Sequence, residues 1–288
     1  MTAGADVLKA ALWMSGAIAS FTSMAVAGRA ISFELDTFEI MMYRSFVGIC
    51  IVMSVALATG KLGQVRRDNL GLHLIRNLFH FTGQNLWFYA ITVIPLAQVF
   101  ALEFTSPLWV VVLSPLLLGE RITPVRATAA LIGFIGILIV ARPGAAPLEF
   151  GQAAAAMAAI GFACTAIFTR KLTKRESIIS ILVYLTVMQA VFGVVCAGYD
   201  GDIALPSMQS APWLVLIGCA GLLAHFCLTT ALSLAPASVV MPIDFTRLPI
   251  VAVVGMLVYG EVIDIWVAIG ALVIFAGNYL NIWGETRR

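Results

Sequence analysis

The sequence predicts an all-α integral membrane protein of ten transmembrane helices, arranged as two inverted five-helix repeats. Three observations predict it. The composition is too apolar for a soluble fold, uncharged stretches of bilayer-crossing length recur along nearly the whole chain, and an internal repeat with an odd number of spans appears at one fixed offset.

Of 288 residues, 61% are hydrophobic and 11% charged, against roughly 45–50% and about 25% for soluble domains. With no water in the hydrocarbon core, each backbone N–H and C=O must be satisfied within its own segment, so continuous apolar runs imply helices. The net charge of +2 comes from basic residues scattered in short loops, which argues against a nucleic-acid partner. Cys50, Cys164, Cys196, Cys219 and Cys227 fall in apolar runs without C-x-x-C spacing, so they suggest neither a disulfide framework nor zinc.

The expected spans are 7–28, 38–59, 70–93, 96–118, 123–141, 150–169, 178–198, 211–234, 237–259 and 262–283, each about the length that crosses a bilayer. In span 1, Ala25-Val26-Ala27 resembles a signal-peptidase site. The weakly charged leading region and a counterpart of this span in the second half favour a retained helix. Ile94-Pro95 and Ala235-Pro236 leave almost no linker, making spans 3/4 and 8/9 tight hairpins. Pro107 and Pro115 in span 4, and Pro242 and Pro249 in span 9, remove backbone bonds in matching spans of the two halves, which marks either discontinuous helices of the kind that form a transporter's binding site or kinks accommodated by packing.

Shifting the chain by 141 residues (236 − 95) superposes Pro95 on Pro236, Phe104-Thr105 on Phe245-Thr246 and Gly119-Glu120 on Gly260-Glu261 without a gap. The same shift carries Arg29 to Arg170 and Tyr43 to Tyr184. The expected halves are residues 1–145 and 146–288. Five spans per half put the two copies in opposite orientations. Lysine and arginine agree: with the N-terminus inside, thirteen of them, Arg76 and Arg170 among these, fall on the cytoplasmic side, and Arg29 and Arg142 fall outside. Both termini are therefore expected in the cytoplasm, in the inner membrane. One chain supplies both halves, so a functional monomer is expected.

The segments Leu116 to Glu120 and Leu257 to Glu261 both end in Gly-Glu, and each leads into a small-residue helix, Ala129 to Gly136 and Gly270 to Gly277. In these features, and in Arg44 early in span 2, the chain resembles the ten-helix branch of the drug/metabolite transporter superfamily, with two EamA-type repeats. The resemblance implies a secondary transporter, a cavity lined mainly by spans 1, 3, 4, 6, 8 and 9, and export of amino acids or related metabolites as a frequent activity. The chain departs from the superfamily's four-helix members, which use a glutamate in their first span; spans 1 and 6 here carry no acid.

Ionisable residues inside a membrane are functional candidates by default: Arg44, Glu103, Asp244 and Arg247. Glu103 and Asp244 are repeat equivalents that can serve as coupling sites, or as structural charges with Asp244 paired to Arg247 and Glu103 to Arg44. Asn77, His80, Gln84 and Trp87 form one stripe of span 3. His225 stands at the position equivalent to Gln84, with Thr229 one turn on. Such amide and imidazole groups suit a zwitterion, with Trp13, Trp87 or Trp109 covering its side chain. His73 and His80 share a face, but His73 beside Arg76 reads as an interfacial histidine, and no metal site is expected.

The function expected is export of small polar metabolites, amino acids first, aromatic or broad-range. Drugs, cationic compounds or nucleotide-like metabolites are the alternative substrates. A membrane-embedded enzyme is the reading from another class, but G-x-S-x-G, H-E-x-x-H and the P-loop pattern are absent from the sequence. No catalytic residue and no cofactor is expected.

Overall fold

The computed structural model describes residues 3–118, 124–142, 149–173, 175–199, 201–234, 243–244, 246–262 and 264–286. Gly119-Glu120, Pro236, Pro242 and Phe245, and the side chains of Pro115, Arg170 and Thr229, lie outside the described residues. Among those described there is helix and no strand. The helices are α1 (Ala3–Ile31), α2 (Thr37–Ala58), α3 (Leu70–Val93), α4 (Leu96–Glu103), α5 (Ser106–Leu118), α6 (Pro124–Ala141), α7 (Phe150–Thr173), α8 (Ile178–Ala197), α9 (Ala211–Leu234), α10 (Arg247–Tyr259) and α11 (Ile265–Thr286).

Six described stretches are long and apolar enough to cross a membrane, and Ala127–Ala141, Arg247–Tyr259 and Ile265–Leu280 are shorter apolar helices. At 24 residues α3 has the length but is not among the six; its polar stripe lowers its hydropathy. Leu96–Leu113 counts as one stretch by composition, yet its helix is broken into α4 and α5.

That break sits at Phe104-Thr105. Thr105 turns back with its N–H on the Leu102 carbonyl at 3.1 Å and its hydroxyl on the same oxygen at 2.7 Å. Pro107, at the second position of α5, has no N–H to offer the Glu103 carbonyl. The freed Phe104 carbonyl accepts from Asn278 Nδ2 on α11 at 2.8 Å. Thr246 repeats the turn: its N–H and hydroxyl both reach the Ile243 carbonyl, again at 3.1 and 2.7 Å. Leu102 and Thr105 shifted by 141 are Ile243 and Thr246, so the two halves share one backbone device.

The pairing of helices follows the same shift. The principal packed pairs are α1 with α9, α3 with α7, α2 with α8 and α6 with α11. Moving each helix to its repeat equivalent exchanges the first two pairs and returns the last two to themselves. At the α6/α11 contact a Cβ on Gly136 would lie 2.9 Å from the Gly270 carbonyl, and one on Gly277 would lie 2.8 Å from the Ala129 carbonyl. These two contacts are each other's equivalents. Without hydrophobic drive between helices in lipid, small residues that admit close backbones supply the packing.

Local signals set the helix ends. Asp36 caps α2 by accepting from Glu39 N at 2.8 Å while Glu39 Oε2 accepts from Asp36 N at 2.9 Å, a complete capping box. Glu39 also accepts from Ala204 N, and the Tyr43 hydroxyl donates to the Ala204 carbonyl at 2.8 Å, fastening the 200s loop to α2. Its equivalent Tyr184 likewise donates to a loop carbonyl, that of Arg66, at 2.8 Å.

Candidate functional site

Among the described residues, two polar groups stand out in the interior. The first joins the broken spans. Arg247 Nη2 donates to Glu103 Oε1 at 3.0 Å and to Asp244 Oδ2 at 3.1 Å, so the two equivalent carboxylates meet on one guanidinium. The guanidinium is walled by the rings of Phe21, Phe100 and Phe104, 4.8 to 5.0 Å from its carbon. Trp87 Nε1 donates to Glu103 Oε2 at 2.7 Å. The pairing of Asp244 with Arg247 follows the sequence expectation; that of Glu103 with Arg44 does not. Packing of α4 against α10 brings Glu103 to the nearer arginine.

The second group gathers where α2, α3, α8 and α9 converge. His80, 2% exposed, faces His225 with ring centroids 5.6 Å apart and Phe162 at 6.3 Å. Among the described residues, neither His80 nitrogen has a hydrogen-bond partner. Arg76, 3% exposed, donates to Thr169 Oγ1 at 3.1 Å and to Asn77 Oδ1 at 2.7 Å. Gln189 Nε2 donates to the Asn77 carbonyl at 2.9 Å, while its Oε1 is buried without a partner among the described residues. A cavity of about 20 Å3 is lined by Arg44, Ser45, Thr186, Gln189, Gly221 and His225, among others. It draws on α2, α8 and α9, that is, spans 2, 7 and 8, whereas the resemblance implied spans 1, 3, 4, 6, 8 and 9.

The polar stripes of α3 and α9 thus meet through His80 and His225. Gln84 is buried. Trp87 belongs with Glu103, in the first group. Trp109 packs edge-on against Phe134 at 4.9 Å. Trp13 is 37% exposed, with its ring on Phe226 at 5.6 Å, so it faces the periphery rather than the histidines. Arg76 and His73 are both buried within the protein, His73 against the Tyr184 ring at 4.3 Å. Among the described residues, no three His, Cys, Asp or Glu side chains form a metal-sized group.

Beyond both groups lies an ion pair at a helix end. Arg29 bonds Glu261 and also donates to the carbonyls of Ile91 and Ile94. Glu261 accepts from Leu96 N as well, at 3.0 Å. The guanidinium sits 4.8 Å over the Tyr259 ring. One contact set ties α1 to the α3/α4 hairpin and to the end of α10.

Many apolar helices, with two spans broken at matched points beside a buried charged group, are the architecture of a multi-pass membrane transporter. The EamA-like transporter family matches residues 8–142 and again 149–283, two stretches 141 residues apart, and the chain belongs to that family. Relatives include a riboflavin transporter of Vibrio cholerae, 28% identical over 98% of this chain and 95% of its own. A riboflavin transporter of Brucella anthropi is 33% identical over 75% and 78%. An S-adenosylmethionine uptake transporter of Rickettsia bellii is 25% identical over 96% and 94%. A solved crystal structure matches with a TM-score of 0.65 at 19% identity, covering 96% of this chain and 98% of that one, which shows the fold.

Proposed function

We propose that the protein is a secondary carrier that moves a small polar metabolite across the inner membrane by alternating access, through the cluster between α2, α3, α8 and α9. The observation that carries this reading is the meeting of His80 and His225 from repeat-equivalent helices at a polar, cavity-bearing centre. Lipid would not tolerate these groups, and packing alone does not require a histidine with both nitrogens unpartnered. His80, Gln84, His225 and Thr229 are assigned to the substrate, with Trp87 linking their stripe to the Glu103–Arg247–Asp244 group.

Ten spans in two inverted halves, 1–145 and 146–288, are part of the same reading. Its support is the exchange of helix pairs under the 141-residue shift, as a two-fold axis in the membrane plane requires. Cytoplasmic termini rest on the lysine and arginine distribution. Function as a monomer rests on both halves lying in one chain.

The relatives' names favour a ring-bearing metabolite of the riboflavin or S-adenosylmethionine kind over simple amino acids. The amino-acid expectation keeps a chemical basis, because S-adenosylmethionine carries an α-amino-acid end that amide and imidazole groups can meet. Counterflow in proteoliposomes tests the assignment, with labelled riboflavin, S-adenosylmethionine and amino acids each offered against an internal pool. Saturable exchange selective for one of the first two is expected. Flux that rises linearly with concentration, or no exchange with any of them, overturns the carrier reading.

A further inference from the structure

Arg44 is 9% exposed, yet among the described residues its one hydrogen-bond partner is the weakly accepting Met41 sulfur at 3.5 Å. A guanidinium carries five donors. The neighbouring cation Arg76 has two neutral acceptors, Thr169 and Asn77. The two guanidiniums lie within electrostatic range of each other, and His80 and His225 within range of both. No carboxylate is bound to either arginine among the described residues. Glu103 and Asp244 are both held by Arg247. Buried charges are ordinarily paired, because an isolated ion in a low-dielectric interior is costly.

Arg44 also lines the cavity, so a group entering it would meet this side chain. Its repeat equivalent, Leu185 (185 − 44 = 141), lines the same cavity. Since α2 packs on α8, a second arginine at Leu185 would have set two guanidiniums against each other; one half of the duplication keeps the charge and the other does not. On α9, Gly218 and Gly221 stand where α3 has Asn77 and His80. A Cβ on Gly221 would come 3.0 Å from Arg44 Nη2, so the missing side chain is what leaves room for the guanidinium.

We infer that the cavity at Arg44 is an anionic subsite that takes a carboxylate or phosphate of the transported molecule, Arg44 binding the oxygens directly and Arg76 supplying the field. The inference rests on the carrier reading and names the charge its substrate brings. Planar guanidinium donors match either oxyanion. A volume of about 20 Å3, against the ~10–15 Å3 that holds one water, admits an oxyanion's leading atoms and not a whole metabolite.

Matched ligand pairs test it on the purified full chain in detergent, with binding read by tryptophan fluorescence. The pairs are riboflavin 5′-phosphate against riboflavin, S-adenosylmethionine against its carboxamide, and phenylalanine against phenylalaninamide. The carboxylate or phosphate member of at least one pair is expected to bind tenfold or more tighter than its partner. The pair that responds distinguishes phosphate from carboxylate. Arg44→Gln is expected to shrink the preference below twofold and Arg44→Lys to keep part of it; the native comparison decides even if Arg44→Gln fails to fold. Equal binding within every pair, no binding of any anionic member, or a preference that survives in folded Arg44→Gln overturns the subsite. Equal binding alongside saturable riboflavin counterflow would sink the subsite and leave the carrier standing. An Arg44-dependent preference without counterflow would do the reverse.

Discussion

Glu103 and Arg247, 144 residues apart, share a 3.0 Å bond that joins the two broken spans. Asp244 completes the group from the other half. Removing the cation leaves two buried carboxylates facing each other, a change of about 3–5 kcal/mol for a broken buried pair. Arg247→Gln is therefore expected to lower the melting temperature in detergent markedly. Glu103→Gln, which leaves Asp244 with Arg247, is expected to cost less. Equal melting of Arg247→Gln and the native chain would refute a structural role for this group.

The close approach of α6 and α11 depends on glycine. A Cβ at Gly136 meets Ile274 at 2.6 Å and the Gly270 backbone oxygen at 2.9 Å, so Gly136→Ala must push two backbones apart, at about 1–3 kcal/mol for overpacking. Gly71→Ala, with nothing within 4 Å of the added carbon, serves as the control and is expected to be neutral or slightly stabilising. The comparison is read as two melting curves.

Arg29 and Glu261 bind α1, the α3/α4 hairpin and the end of α10 at one face. The carrier reading makes that contact a gate that opens during transport. A single cysteine at buried Gln98, in a background without the five native cysteines, is expected to react faster with an impermeant maleimide when Glu261 is changed to Gln. Glu120 and Arg170 are the sequence equivalents of Glu261 and Arg29, so Glu120→Gln is expected to slow the same reaction. Identical rates in all three proteins would remove the gate from the account.

Glu34, in the loop between α1 and α2, accepts from the Ser210 hydroxyl and from the Ser207 N–H and hydroxyl. These bonds, that of Ser210 foremost, hold its carboxyl below the usual carboxylate range. A depressed folded pKa adds stability that is fully present above the unfolded value of about 4.3 and is lost as pH falls through the folded one. The melting gap between the native chain and Glu34→Gln is thus expected to be constant from neutral pH to about 5 and to close at lower pH. It is small, because the group faces solvent.

Periodicity and the 141-residue shift made the helices, the duplication and the location of the breaks legible in the sequence. Pro107 and Pro249 lie within three residues of Thr105 and Thr246, so the prolines marked the interrupted spans even though the turns form at the threonines. Asp244 with Arg247 could be read because the two stand three residues apart in one span, on either side of the Thr246 turn. Glu103 with Arg247 could not, since that bond depends on which two spans touch. Arg76 was counted with the loop cations, yet its spacing from His80, one helical turn, puts both on one face. Gln189, the one amide in its span, carried a signal that attention to ionisable groups alone passes over. That Arg44 has no carboxylate partner among the described residues has no sequence signature, because it is a property of everything packed around that side chain.

The central claim, that substrate passes through the meeting of the α3 and α9 stripes, is tested most directly by the KM for counterflow of whichever metabolite the native protein exchanges. His80→Ala with Gln84→Ala is expected to raise that KM about tenfold or more, equivalent to about 1.4 kcal/mol of lost binding, with the melting temperature changed little. An unaltered KM and maximal rate in the folded double variant would contradict the account.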